Sequence, residues 1–218
     1  MRDRKLPLLA KTIYAYFCSY AGNGYQAYPK RDKTVRDLNI NKDTYTKHLA
    51  LLVAGDYIGK ERTAAGNFYT IKRTVPSYDN SAQAKDEMTD MLVMESVGAQ
   101  GFGTVLKLVM LDAGLTAQAK AIYAYFASFA GAGMTAFPRR ATIMRDLGLS
   151  QATYYTHFNL LLNRGYLSVE HRKSNGKYTV SLYRLPKRMD APAPPQSSSP
   201  SRESSRKAMF GNAMSETC

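Results

Sequence analysis

The most constraining feature of this sequence is an internal duplication. When the chain is shifted by 109 residues, residues 1–58 align without a gap with residues 110–167, and 26 of the 58 positions are identical. The identical positions include the run YAYF, which begins at Tyr14 in the first copy and at Tyr123 in the second. Chance does not produce this agreement, so the chain contains two copies of one structural unit.

Each copy carries the pattern of a helix-turn-helix. A good N-cap residue, Asn41 or Ser150, precedes about three turns of sequence with apolar residues at helical spacing, which predicts a helix. A basic helix is predicted upstream, at 31–38 and 140–147, and a three-residue turn separates the two helices. In a DNA-reading motif of this kind, the second helix enters the major groove. An ordinary helical hairpin is the alternative, but the repetition and the basic charge favour DNA.

One more helix and a hairpin complete each copy. A first helix is predicted at 7–20 and 116–129, with glycines after it. After the second helix of the motif, alternating sequence on both sides of a turn predicts a β-hairpin, for which Asn175-Gly176 is a strong signal. Three helices followed by a basic hairpin predict a winged helix. The expected fold is therefore mainly α with small β wings, arranged as two tandem winged helix-turn-helix domains.

The two copies set the expected domain boundaries, at 1–78 for domain 1 and 102–185 for domain 2. Residues 102–109 predict a small strand that completes the second wing sheet, and domain 1 is expected to lack this first strand. Residues 79–101 are expected to be an acidic linker, and their pattern predicts a short amphipathic helix. The sequence leaves three roles open for this helix: packing on a domain, dimerisation, or screening of the basic faces. The Pro- and Ser-rich residues 186–218 predict a disordered tail.

Composition narrows the class of partner. The net charge of +13 fits a polyanion such as nucleic acid or an anionic membrane. No apolar run approaches the roughly 20 residues of a membrane span and no signal peptide is apparent, so we expect a cytoplasmic protein without a membrane partner. The two cysteines are Cys18 and Cys218, and Ala127 takes the place of Cys18 in the second copy. A disulfide framework or a zinc site is therefore not expected.

The sequence contains no combination of residues that indicates catalysis. His48 and His157 are equivalent and fall in the middle of the predicted recognition helices, where a hydrogen-bonded structural role is expected. No second histidine or cysteine stands at metal spacing, and no phosphate loop, activated nucleophile or carboxylate cluster is present. We therefore expect no enzymatic activity, no metal and no cofactor.

The first thirty residues of each copy carry a family resemblance. The runs MRDRKLPLLAKTIYAYFCSYAGNGYQAYP and VMLDAGLTAQAKAIYAYFASFAGAGMTAFP resemble winged helix-turn-helix proteins of plasmids and conjugative elements of Gram-positive bacteria. They are also similar to DNA-binding domains of some replication initiators and phage replisome organisers. The resemblance covers both copies and implies DNA binding with nothing catalytic.

Each predicted recognition helix has a core face and an outward face. The core faces consist of Tyr45, Leu49 and Leu52 in the first copy and of Tyr154, Phe158 and Leu161 in the second. The outward residues are the candidate base readers: Lys42, Asp43, Thr46 and Lys47 in the first copy, and Gln151, Ala152, Tyr155, Thr156 and Asn159 in the second.

Cations around these helices are the candidate contacts to the DNA backbone. Those expected at or on the preceding helix are Lys30, Arg31, Lys33, Arg36, Arg139, Arg140 and Arg145. Those expected on the wings are Lys60, Arg62, Lys72, His171, Arg172, Lys173 and Lys177. Solubilising charge is the alternative for each cation. Arg36 and Arg145 also have a neighbouring aspartate, Asp37 or Asp146, as a local partner.

The resulting expectation is sequence-specific binding of double-stranded DNA by a transcriptional regulator of a mobile genetic element. A plasmid or phage replication initiator, or a replisome organiser, at origin repeats is the alternative within DNA binding. A protein- or RNA-interaction module is the alternative from another class. The sequence leaves open a homodimer and a contact of the tail with the replication or transcription machinery.

The two outward faces predict different base preferences. Lys42 and Lys47 suit guanine acceptors, whereas Gln151 and Asn159 suit adenine. Exchanging the two recognition helices should therefore exchange the preferred half-sites, as measured by selection from random duplexes. An unchanged preference after the exchange would contradict this interpretation.

Overall fold

The structure is a computed structural model, and it describes residues 1–22, 24–64, 66–72, 105–130, 135–174 and 177–186. The side chains of these residues are described as well, except those of residues 172–180. The predicted acidic linker at 79–101 and the predicted tail after Pro186 lie outside the described residues.

The described residues of domain 1 form three helices and three strands. In chain order, its elements are α1 (Leu8–Ala21), β1 (Gln26–Ala27), α2 (Arg31–Leu38), α3 (Lys42–Ala54), β2 (Ile58–Thr63) and β3 (Gly66–Ile71). The strands form an antiparallel sheet in the order β1-β3-β2, in which Ala27 pairs with Tyr69. The hairpin of β2 and β3 is the wing.

Domain 2 repeats this order and has one additional short helix before it. Its elements are α4 (Lys107–Leu111), α5 (Ala117–Ala130), β4 (Thr135–Ala136), α6 (Arg140–Leu147), α7 (Gln151–Asn163), β5 (Ser168–Ser174) and β6 (Lys177–Arg184). The sheet order is β4-β6-β5, with Ala136 paired to Tyr183. The chain thus folds into two tandem winged helix-turn-helix domains, as the sequence predicts.

The strand predicted at 102–109 is wrong in its described part. Lys107–Leu111 is helix α4, in which Val109 and Met110 are buried. The third strand of each sheet is instead β1 or β4, between the first and second helices, so in the described residues domain 1 has as many strands as domain 2. A two-residue strand is too short to produce the alternation by which strands are recognised in a sequence.

An aromatic cluster joins the helices to the sheet in both domains. The ring of Phe17 on α1 stacks on Tyr69 of β3 with centroids 4.4 Å apart, and the hydroxyl of Tyr69 lies 3.0 Å from that of Tyr45 on α3. In domain 2, Phe126 packs on Tyr183 at 4.5 Å. Each recognition helix is therefore fixed to the wing through the same core that holds the first helix.

The first helix of each domain is buried both by its own domain and by the other domain. Helix α1 packs against α5 of the other domain as well as against its own core. Two lysines within these helices are almost completely covered, since Lys11 is 2 % exposed and Lys120 is 0 % exposed. One buried side of these helices faces the core of their own domain, and the other is the contact between the domains.

Each buried lysine binds the other domain. The ammonium group of Lys11 donates to the main-chain oxygen of Asp146, and that of Lys120 donates to the main-chain oxygen of Asp37. Both acceptors lie in the last turn of a helix, α6 or α2, where carbonyls lack helical partners and the helix dipole favours a cation. The second helix of each domain is therefore capped by the first helix of the other.

The side chains of the same two aspartates are also tied down. The hydroxyl of Tyr16 donates to Asp37 at 2.7 Å, and Lys33 pairs with this carboxylate at 2.8 Å. Burial opposes the charge on Asp37, but these two partners outweigh it and hold its pKa below the usual value. Asp146 accepts from the hydroxyl of Tyr125 at 2.7 Å, and its cation at 3.1 Å is Arg4 of domain 1.

The buried lysines predict a stability that rises with pH. Burial lowers the pKa of Lys11 to about 8 and that of Lys120 to about 8, against the opposing effects of Asp146 and Asp3 on the first and of Asp112 and Asp37 on the second. The folded pKa lies below the unfolded value of 10.5, so above pH 8 the unfolded chain holds protons that the folded chain has released. The free energy of unfolding should therefore increase from about pH 8 to 9.5, by of order 1 kcal/mol per pH unit.

Chemical denaturation at several pH values measures this slope. The double variant Lys11→Met with Lys120→Met should lose most of the rise, whereas the control Lys5→Met, at an exposed lysine, should keep it. A flat profile for the unmodified chain, or an unchanged slope in the double variant, would contradict the prediction.

Candidate nucleic-acid interface

Local backbone signals set the start of both recognition helices. Asn39 and Gly148 end the preceding helix in the left-handed region, with φ of 50° and 64°. The side chain of Asn41 then accepts from the main-chain N–H of Thr44 at 2.6 Å, and Ser150 caps α7 in the same way at 3.2 Å. Both predicted N-caps are confirmed.

The division of each recognition helix into two faces is also as predicted. The buried residues of α3 and α7 are Tyr45, Leu49, Leu52, Tyr154, Phe158 and Leu161. All nine candidate base readers are exposed: Lys42, Asp43, Thr46, Lys47, Gln151, Ala152, Tyr155, Thr156 and Asn159. Each domain therefore turns a polar helical face away from its core.

In domain 1, contacts on this face are weak and local. Lys42 on α3 lies 3.3 Å from the carboxylate of Asp32 on α2, and both side chains are largely exposed. An ion pair of this kind contributes about 0–1 kcal/mol, so Lys42 can exchange Asp32 for another partner at little cost. The hydroxyl of Thr46 donates to the main-chain oxygen of Lys42 at 2.9 Å, within the same helix.

In domain 2, an aromatic residue occupies the equivalent face. The guanidinium of Arg140 at the start of α6 donates to the hydroxyl of Tyr155 and lies 5.5 Å from the centre of its ring. The hydroxyl of Thr156 donates to the main-chain oxygen of Ala152 at 3.0 Å. The two outward faces therefore differ in shape and charge even though the helices beneath them match.

Most cations on or just before the second helices are exposed. Lys30, Arg31, Arg36, Arg139, Arg140 and Arg145 are exposed, whereas Lys33 is half-buried in its pair with Asp37. Arg36 and Arg145 pair with the adjacent aspartates at 3.9 and 3.7 Å, which are the local pairs considered from the sequence. The pair with Asp37 thus gives Lys33 a structural role, which differs from the DNA contact or the solubilising charge expected from the sequence.

The described wing cations are exposed as well. They are Lys60, Arg62, Lys72 and His171. Lys72 lies 3.8 Å from Asp56 at the end of the recognition helix, and the ring of His171 lies 3.1 Å from the hydroxyl of Ser181. Arg172, Lys173 and Lys177 belong to strands β5 and β6, but their side chains lie outside the described part of the structure.

The two equivalent histidines differ in their partners. His157 on α7 shares a 2.9 Å hydrogen bond with Thr116, whose hydroxyl also accepts from the N–H of Ala119 at the start of α5. Pro7 occupies the position of Thr116 in the first copy, and the buried Nδ1 of His48 has no partner among the described residues. Burial lowers the pKa of both histidines, which favours the neutral ring. The predicted hydrogen-bonded role is confirmed for His157, and for His48 it stays a prediction.

Sequence reasoning missed the residues that position one motif against the other. These are Lys11, Lys120 and Arg4, each of which binds an aspartate of the opposite domain. A signal was present, because the same lysine recurs in both copies within a first helix that is otherwise nearly apolar. A charge inside such a helix indicates a buried partner from another element.

Three further observations concern other kinds of site. Within the described ranges, no three His, Cys, Asp or Glu side chains come together in a way that would hold a metal ion. No helix in the same ranges is both long and apolar enough to cross a membrane. Burial raises the pKa of the Cys18 thiol to about 11, so this cysteine stays protonated at neutral pH.

The fold and the outward recognition helices define the class of winged helix-turn-helix proteins. A family model described as a helix-turn-helix domain matches residues 4–58 and 113–167, which together make up half of the chain. The chain therefore belongs to this helix-turn-helix domain family, with the domain present twice, and domains of this class bind DNA. No curated protein matches the chain.

The difference between the two histidines predicts unequal effects of equivalent substitutions. Thr116→Ala removes both an N-cap and the partner of His157, and should lower the free energy of unfolding by about 1 kcal/mol. The control Pro7→Ala removes no hydroxyl and should cost about half as much or less, through the unfolded state alone. Denaturant unfolding measures both, and equal losses would contradict the assigned role of Thr116.

Proposed function

We propose that this protein binds double-stranded DNA sequence-specifically and regulates transcription of a mobile genetic element. The observation that carries the proposal is the exposure of all nine outward residues on two capped recognition helices, together with the exposure of six cations on or before the second helices. The mobile genetic element and the regulatory role are inferred from the resemblance of the first thirty residues of each copy to winged helix-turn-helix proteins of plasmids and conjugative elements.

The expected division of labour follows from the position of each group. Cations of α2 and α6 would contact phosphates and set the orientation of the domain on the duplex, without reading sequence. A recognition helix in the major groove would then bring its outward side chains to the base edges. The wings would contact the neighbouring backbone or minor groove through Lys60, Arg62 and His171.

Base preference would differ between the domains. Lys42 and Lys47 donate hydrogen bonds, which suits the two acceptors of guanine, and Asp43 accepts from cytosine. In domain 2, Gln151 and Asn159 can each donate to and accept from adenine, and Ala152 or Tyr155 can pack against a thymine methyl group. The site would therefore contain two unlike half-sites.

Salt dependence and single substitutions test this proposal. The DNA for this test is a duplex that the full chain selects from a random library. Binding of the full chain to this selected duplex should weaken by orders of magnitude between about 50 and 200 mM salt, because condensed counterions are released on binding. Arg36→Gln should weaken binding to all duplexes and reduce the salt slope by about 1, whereas Lys47→Gln should weaken chiefly the selected duplex.

The matched control is Lys5→Gln, at an exposed lysine outside the motif helices and the wings. It should leave both the affinity and the salt slope close to those of the unmodified chain. Binding that is insensitive to salt, or equal affinity for duplex DNA and for structured RNA, would overturn the proposed function.

A further inference from the structure

We propose that the two halves form a covalently linked dimer with approximate two-fold symmetry, and that this dimer reads one inverted repeat with unlike half-sites. The inference rests on the proposed DNA-binding function. Two tandem domains do not by themselves determine the relative orientation of the two half-sites, and the inference predicts this orientation.

The contacts between the two halves are reciprocal. Lys11 of domain 1 binds the main-chain oxygen of Asp146, and Lys120 of domain 2 binds that of Asp37. The 109-residue shift that relates the two copies converts each of these contacts into the other. Reciprocal contacts arise when two units are related by a two-fold axis, whereas a head-to-tail arrangement uses two different surfaces.

A second pair of contacts also crosses between the halves in both directions, although its two cations are not at equivalent positions. The guanidinium of Arg2 lies 4.3 Å from the ring centre of Phe129, and the ammonium of Lys107 lies 3.8 Å from that of Tyr20. Tyr20 and Phe129 are equivalent positions at the end of the first helix. In each direction, a cation from the segment before one first helix covers the terminal aromatic ring of the other.

Further contacts hold the halves in one arrangement. Arg4 of domain 1 pairs with the buried carboxylate of Asp146 at 3.1 Å, and the hydroxyl of Thr12 donates to the main-chain oxygen of Ala117 at 3.2 Å. Separation of the halves would break these bonds and expose the apolar surface between α1 and α5 to water. The halves are therefore expected to act as one body and not as two domains on a free tether.

The same contacts reach the recognition helices. Asp37 and Asp146 lie in the last turn of α2 and α6, directly before the turns that lead into α3 and α7. Lys11 and Lys120 therefore position each helix-turn-helix on the first helix of the opposite half. They are positioning residues, because they bind the scaffold and not the candidate DNA-contacting face.

The symmetry determines the orientation of the half-sites. A DNA duplex has local two-fold axes, and a two-fold protein that engages it with both motifs meets two sequences that run in opposite directions. A direct repeat would require the two motifs to be related by translation along the duplex. Because the outward residues of α3 and α7 differ, the inverted repeat should be imperfect.

Selection of bound sites from a random duplex library, with the full chain, tests the inference. The expected result is two half-sites in opposite orientation at one fixed spacing, with different bases. A direct repeat, or a single half-site, would overturn the inference while leaving the proposed DNA binding intact. Failure to enrich any sequence would overturn sequence-specific binding and the inference together.

Spacing variants of the selected duplex give a second test that needs no protein variant. Insertion of about 5 base pairs between the half-sites moves them to opposite sides of the duplex, and should reduce affinity at least about tenfold, to that of one half-site. Unchanged affinity after the insertion would show that the halves bind independently and would overturn the inference.

The interface lysines connect this spacing requirement to the structure. The double variant Lys11→Met with Lys120→Met should keep the same half-site sequences but tolerate altered spacing, whereas the control Lys5→Met should keep the strict spacing. Retention of strict spacing in a folded double variant would overturn the positioning role of these lysines.

Discussion

The arrangement of this molecule depends on two buried lysines, each of which binds the last turn of a helix in the opposite domain. A buried ammonium group is costly unless acceptors surround it, and the main-chain oxygens of Asp146 and Asp37 are the acceptors that Lys11 and Lys120 use. Each lysine therefore requires the other domain to be in place. The same two contacts hold the second helix of each domain in place, and with it the start of the recognition helix.

Duplication within one chain allows the scaffold and the reading face to diverge separately. Core residues of the recognition helices match in role, as Tyr45 and Tyr154 do, and both helices begin at a capped turn. Outward residues differ, since Lys47 in one copy corresponds to Thr156 in the other. A dimer of identical chains would present two equal faces, whereas this chain presents two unlike faces on one frame.

The sequence predicted the parts of the fold that depend on local patterns. The bounds of α2 and α6, the two N-caps and the buried face of each recognition helix agree with the structure. The strand predicted at 102–109 was wrong in its described part, because Lys107–Leu111 is rich in good helix formers, and the real third strands are only two residues long. The interface through Lys11 was missed because it joins residues far apart in the sequence, which periodicity cannot relate. The DNA-contacting roles of the outward residues remain predictions.

Hydroxyl-radical footprinting of the full chain, on a duplex that it selects from a random library, measures where the two motifs contact the DNA. We expect two protected segments on one face of the duplex, about one helical turn apart, with different sequences in opposite orientation. A single protected segment, or two segments whose separation varies freely between sites, would contradict the claim that two unlike motifs are held on one two-fold frame.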